Sequence, residues 1–133
     1  MAAMSDFLES ALAAHIFKNT AFATPGNSLF VAAFVGDNGL EAGTLTSEVA
    51  GGAYARQQVV AAGWTQTGGV VANTAAVEFP LATASWGTVT HVAIMSAITG
   101  GNVLVHGLLA SSRVIGNGDQ LKFAAGDLTL TFL

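Results

Sequence analysis

Ala84-Ser85-Trp86-Gly87-Thr88-Val89-Thr90-His91-Val92-Ala93-Ile94-Met95 is the stretch that decides the fold. It opens on a Trp-Gly corner and continues in residues that are mostly β-branched or apolar. Such side chains are stiff at their first torsion and fit a pleated, buried surface better than a helix. Alternation puts Val89, His91, Ala93 and Met95 on one face and Thr90, Val92 and Ile94 on the other. Neither face is strongly polar, which predicts a central strand covered on both sides. The next apolar run, Val103-Leu104-Val105-His106-Gly107-Leu108-Leu109, follows Thr99-Gly100-Gly101-Asn102. A Gly-Gly pair between two such runs signals a hairpin, since both glycines tolerate positive φ. A tip at Gly100-Gly101 pairs Met95 with His106 and His91 with Ala110. The strand histidines are then not cross-strand partners, which argues against a metal pair and for half-buried rings satisfied by backbone.

Outward from this hairpin the chain is punctuated by turns. Residues 5–18 read as the one helix, with Ser5 as cap, Asp6 and Glu9 at its positive end and Lys18 at its negative end. Phe7, Leu8, Ala11, Leu12, His15 and Ile16 form one apolar face. That face either closes an end of the chain's own core or anchors the chain on a neighbouring subunit. Thr24-Pro25-Gly26-Asn27 breaks the chain before a strand at about 28–35. Gly36-Asp37-Asn38-Gly39 is turn chemistry, and residues 36–52 form a polar loop. Asp37, Glu41 and Glu48 lie there without the spacing of a calcium loop. Tyr54–Val60 is read as a strand whose Arg56 suits a defined partner, a carboxylate or backbone carbonyls. Gly68-Gly69 separates Gly63–Gln66 from Val70–Ala72, and Ala75–Phe79 stops at Pro80, which cannot donate to a ladder. Arg113–Ile115, Leu121–Phe123 and the alternating Leu128–Phe132 complete the series. Leu128, Leu130 and Phe132 are expected inward. The pattern predicts an all-β fold, a mainly antiparallel sandwich or barrel-like domain over 28–133, with one N-terminal amphipathic helix in a single 1–133 domain.

Composition bounds the function. The 133 residues are 52% hydrophobic and only 9% charged, with a net charge of -4. Ordinary chains are about 25% charged. A small domain has a high surface-to-volume ratio, so so few charges leave much uncharged surface for burial against other subunits. A membrane span is not expected, because Leu29–Val35 is far short of the roughly 20 apolar residues needed. A secretory signal is not expected either. The absence of cysteine removes disulfides, thiol catalysis and cysteine-rich zinc modules. Four scattered bases make no nucleic-acid footprint. Phosphate-loop, nucleophile-elbow and H-E-x-x-H signatures are missing, so no enzyme, cofactor or metal is expected. Trp86 is expected to be a buried corner residue.

Gly51-Gly52-Ala53-Tyr54-Ala55-Arg56-Gln57, Phe79-Pro80-Leu81-Ala82-Thr83-Ala84-Ser85-Trp86-Gly87-Thr88-Val89-Thr90-His91-Val92-Ala93-Ile94 and Phe123-Ala124-Ala125-Gly126-Asp127-Leu128 carry a resemblance. So does Asp6-Phe7-Leu8-Glu9-Ser10-Ala11-Leu12. Together they resemble a family of small tailed-bacteriophage virion proteins, often labelled tail fibre proteins. The resemblance spans nearly the whole chain and implies a virion part with no catalytic residues to carry over. Two structural roles and one binding role follow as expectations. The first is a capsid cement or decoration subunit, which binds itself and other virion proteins, the major capsid protein among them. The second is a tail or tail-fibre component, and the third a module that reads a host-surface glycan. Cement is the expectation favoured by size and composition, since one short domain lacks a fibre's repetitive shaft. Phe7, Leu8, Leu12, Ile16 and Arg56 are the candidate subunit contacts.

Overall fold

The computed structural model describes residues 2–22 and 26–132. Thr24 and Pro25, expected to break the chain, lie outside them. The elements are β1 (Ala2–Met4), α1 (Asp6–Lys18), β2 (Ser28–Phe34), β3 (Gln57–Val60), β4 (Trp64–Thr67) and β5 (Val70–Asn73). Then come β6 (Val77–Glu78), β7 (Gly87–Met95), β8 (Val103–Ile115), β9 (Lys122–Phe123) and β10 (Thr129–Thr131), with a 3-10 turn at Ala61–Gly63. A five-stranded sheet has the order β1-β8-β7-β2-β3. A three-stranded sheet, β10-β5-β4, and a ribbon, β6-β9, stand beside it. Every pairing is antiparallel. The fold is all-β with one N-terminal helix, as the turn pattern predicts.

The middle strand of the large sheet is β7, and both its faces are covered. Its neighbour β2 shows the reason for an unbroken apolar run. Val31 and Ala33 enter a core with Val59, Val77, Phe79, Trp86, Val89 and Phe123. Ala32 and Phe34 enter a second core with Leu40, Ala93, Met95 and Val103. Alternate side chains thus feed two cores across one sheet, and no position is left for a polar residue.

The structure corrects the face reading at one point. Val89 pairs with Arg113 and His91 with Leu108, so the ladder is interrupted at Thr90. Beyond this irregularity the alternation is out of phase. Val89 joins the first core with Val92 and Ile94, whereas Ala93 and Met95 lie in the second. Between these pairs β7 has the single residue Thr90 and β8 has four, 109–112, and such a bulge changes which face the later side chains occupy.

The hairpin exists, but its tip and register differ from the expectation. Met95 pairs with Val103, Ala93 with His106 and His91 with Leu108. The loop spans 96–102 and is closed by Ser96 N–H donating to Asn102 O at 3.1 Å and Asn102 N–H donating to Ser96 Oγ at 2.8 Å. A serine side chain acting as a turn acceptor widens the loop beyond a two-glycine tip. Arg113–Ile115 is no separate strand but the end of β8. The strand expected from Tyr54 begins only at Gln57, because Tyr54 and Arg56 are engaged elsewhere. β1 was not foreseen: three apolar residues pair on β8 at Val105–Gly107.

Candidate functional site: buried fastenings and assembly surfaces

A few polar side chains of the loops are directed inward. Arg56 is buried, and its Nε and Nη2 donate to Glu48 Oε2 and Oε1, each at 2.7 Å. Its Nη1 donates to the carbonyls of Ala97 and Gly100, each at 2.8 Å. Arg56 therefore has both kinds of partner expected of it, a carboxylate and backbone carbonyls, and both lie within the chain. The Tyr54 hydroxyl donates to Glu48 Oε2 at 2.8 Å and accepts the Ala33 N–H at 3.0 Å. Burial, with the Glu48 charge, pushes the Tyr54 hydroxyl pKa far up, so it stays protonated. The Glu48 hydrogen bond holds the Arg56 guanidinium charged. This network pins the 36–52 loop to the 96–102 loop, which explains why Tyr54 and Arg56 sit two apart.

Trp86 is the second fastening. It is buried, its ring meets Tyr54 edge-on at 5.4 Å, and its Nε1 donates to Gly52 O at 2.8 Å. Gly52 has φ +58, and a Cβ there would meet Trp86 Nε1 at 2.8 Å and Ala84 O at 2.9 Å. Only glycine fits. Asn73 is a third, unforeseen from sequence: it is buried, donates to Ala75 O and Ala124 O, and accepts from Leu128 N–H.

The two strand histidines are held by side chains, not by the backbone bonds expected of them. His106 Nε2 lies 2.6 Å from Glu41 Oε2, and His91 Nδ1 lies 2.8 Å from Thr90 Oγ1. Asp37 Oδ1 accepts the N–H groups of Leu40 and Gly39. These bonds, the Leu40 one foremost and aided by His106 and His91, hold its carboxyl below the ordinary value of 3.8. Asp6, Glu9 and Glu41 bring carboxylate oxygens within 4.8 Å of one another. Asp6 and Glu9 are exposed at the helix N-terminus, where the dipole accommodates acids without an ion. No nucleophile, base and acid stand in relay among the described residues.

What remains is surface. Ser5 caps α1: it is fully buried, accepts from Leu8 N–H at 3.3 Å and donates to Val103 O. The cap locks the helix start to β8, yet no residue of the helix is buried. Leu8, Ala11 and Leu12 are half-buried, but Phe7 is 43% exposed, Ile16 68% and Phe17 84%. The expected apolar face is therefore split, its inner half on the body and Phe7, His15 and Ile16 outside. A groove of about 580 Å³ runs between the outer side of β8 and β10. Trp64, Val92, Leu104, Leu108, Leu130 and Phe132 line it, with Arg113 and Asp127 as its ionised groups. Of the three alternate residues expected inward, Leu128 is buried and Leu130 half-buried, but Phe132, just past β10, is 43% exposed.

Polar groups thus fasten the chain's own loops, and apolar surface is left over. The chain belongs to the family described as Podophage GP4 fiber I protein gp80, whose model matches residues 3–131. It is accordingly a structural protein of the phage virion, as the resemblance read from Tyr54-Ala55-Arg56-Gln57 and the Trp86 stretch implies. No curated protein matches it. Among the described residues no helix is long and apolar enough to cross a membrane.

Proposed function

We propose that the chain is a non-enzymatic building block of a phage tail fibre, held in place by contacts between copies and with neighbouring virion proteins. The family match over residues 3–131, to a model described as a fiber protein, is the observation that carries this reading. Capsid cement, the role favoured by composition, has less support. Low charge calls for burial against neighbours but does not say whether they belong to head or tail. The exposed Phe7, Ile16 and Phe17 supply the apolar contact surface that assembly needs. Glycan reading has little support in the aromatics. Tyr54 stacks on Phe79 and Trp86 meets it edge-on against the core, and the Trp64 Nε1 is buried.

Gold-labelled antibody on intact virions tests the proposal. Label on tail fibres is the expected outcome. Label spread over the head would overturn it in favour of cement with the major capsid protein as partner.

A further inference from the structure

The end of α1 and the groove beside β8 are complementary, and they lie on one chain. Ile16 and Phe17, at 68% and 84% exposure, lie outside their own groove and form an apolar knob at the helix C-terminus. Beside them stands Lys18. Arg56 and Lys122 each face a carboxylate, and Arg113 donates to Lys122 O and lies over the Phe123 ring. Lys18 pairs with no acid among the described residues. The groove has the converse pattern. Its walls are mostly aliphatic and aromatic, the Arg113 that lines it is engaged by Lys122 O and the Phe123 ring, and Asp127, which accepts the Ala124 N–H, pairs with no base among the described residues. A volume of about 580 Å³ falls within the roughly 300–1,000 Å³ of pockets that enclose drug-sized molecules, enough for two large side chains.

We infer that the groove between β8 and β10 receives the helix end of a second copy of this chain, with Ile16 and Phe17 against Leu108 and Leu130 and Lys18 near Asp127. This rests on the fibre reading and names its partner. Knob and groove are different patches, so the contact is heterologous: each copy offers its helix to the next and its groove to the previous one. Such contacts build rings or open filaments, whereas a two-fold contact stops at a dimer. Burying both knob residues removes large apolar surface from water, and the single ion pair fixes the helix end in register.

The absence of cysteine makes a crosslink unambiguous. Phe17→Cys and Leu108→Cys each change an exposed side chain, so both full-length variants are expected to fold, checked by circular dichroism. Mixed and oxidised, they are expected to give a 17–108 heterodimer in large excess over either homodimer. Phe17→Asp is expected to weaken self-association roughly thirtyfold or more, the size of a hot-spot loss. Lys18→Glu weakens it less, and Asp127→Lys on the partner restores it. Homodimers formed equally well, or undiminished association of Phe17→Asp, overturn the inference. Particles that contain the protein in their fibres without the 17–108 crosslink overturn the groove contact alone. Particles that lack the protein from their fibres overturn the fibre reading, whatever the crosslink shows.

Discussion

At the scale of residues, stability rests on a few buried polar contacts. Arg56→Met leaves Glu48 as an unpaired charge, screened by water only at its 16% exposed side chain. Breaking one member of such a pair costs about 3–5 kcal/mol. Glu48→Leu combined with Arg56→Met is expected to cost less than the two single changes summed, because no lone ion remains. Urea unfolding of the four-member cycle measures the difference, and strict additivity would show that Glu48 and Arg56 do not depend on each other. Trp86→Ala empties space beside Tyr54 and Phe79 and is expected to cost about 3–5 kcal/mol. In a variant lacking Trp64, Trp86 should emit as a buried indole, and solvated emission would contradict its packing. Asp37 gives the pH prediction. Its folded carboxyl titrates below the ordinary 3.8, because the Leu40 and Gly39 N–H groups stabilise the anion. The stabilisation is therefore fully present above that value and is lost as pH falls through the lower folded midpoint. Carboxyl NMR titration should give an Asp37 midpoint under 3.8, and Asp37→Asn should remove that part of the acid dependence.

At the scale of elements, α1 stands apart from the two cores. Ile16→Asp with Phe17→Asp changes side chains that meet solvent, so the β body is expected to keep its unfolding free energy within the roughly ±0.5 kcal/mol of surface changes. Leu12→Asp, half-buried against the body, should destabilise it more. Thermal circular dichroism ranks the two. Equal and large losses would mean that the helix end belongs to the core. The Gly51–Ala53 turn is the opposite kind of element, fixed by its contact with Trp86. Gly52→Ala adds a Cβ under 3.0 Å from the indole nitrogen in a left-handed conformation, and is expected to cost at least about 1 kcal/mol.

At the scale of the whole molecule, two cores share one sheet, and surplus apolar surface lies on a helix end, in a groove and at scattered positions such as Leu81, Ile98 and Val114. The protein is expected to associate in its working state. Sedimentation across a concentration series should show species heavier than the 13.4 kDa chain, and virion stoichiometry should show many copies. A monomer at every concentration, present in few copies per particle, would contradict this.

The sequence by itself determined the helix and its serine cap, the antiparallel strands, the doubly covered β7 and the buried Trp86. Each follows from local periodicity or turn chemistry, which a short window contains. The virion family was also legible, because Tyr54-Ala55-Arg56 and the Trp86 stretch carry it. Register was not. One irregularity at Thr90 reverses the alternation beyond it, and a serine acceptor moves the hairpin tip, both for reasons of cross-strand geometry. The partners of Arg56 lie 8, 41 and 44 residues away, so no spacing along the chain announces them. Periodicity gives the helix one apolar face, but the structure divides it, since α1 touches the body on one side only. Periodicity shows which side chains share a face of an element; only the tertiary structure decides how much of that face finds a partner within the chain.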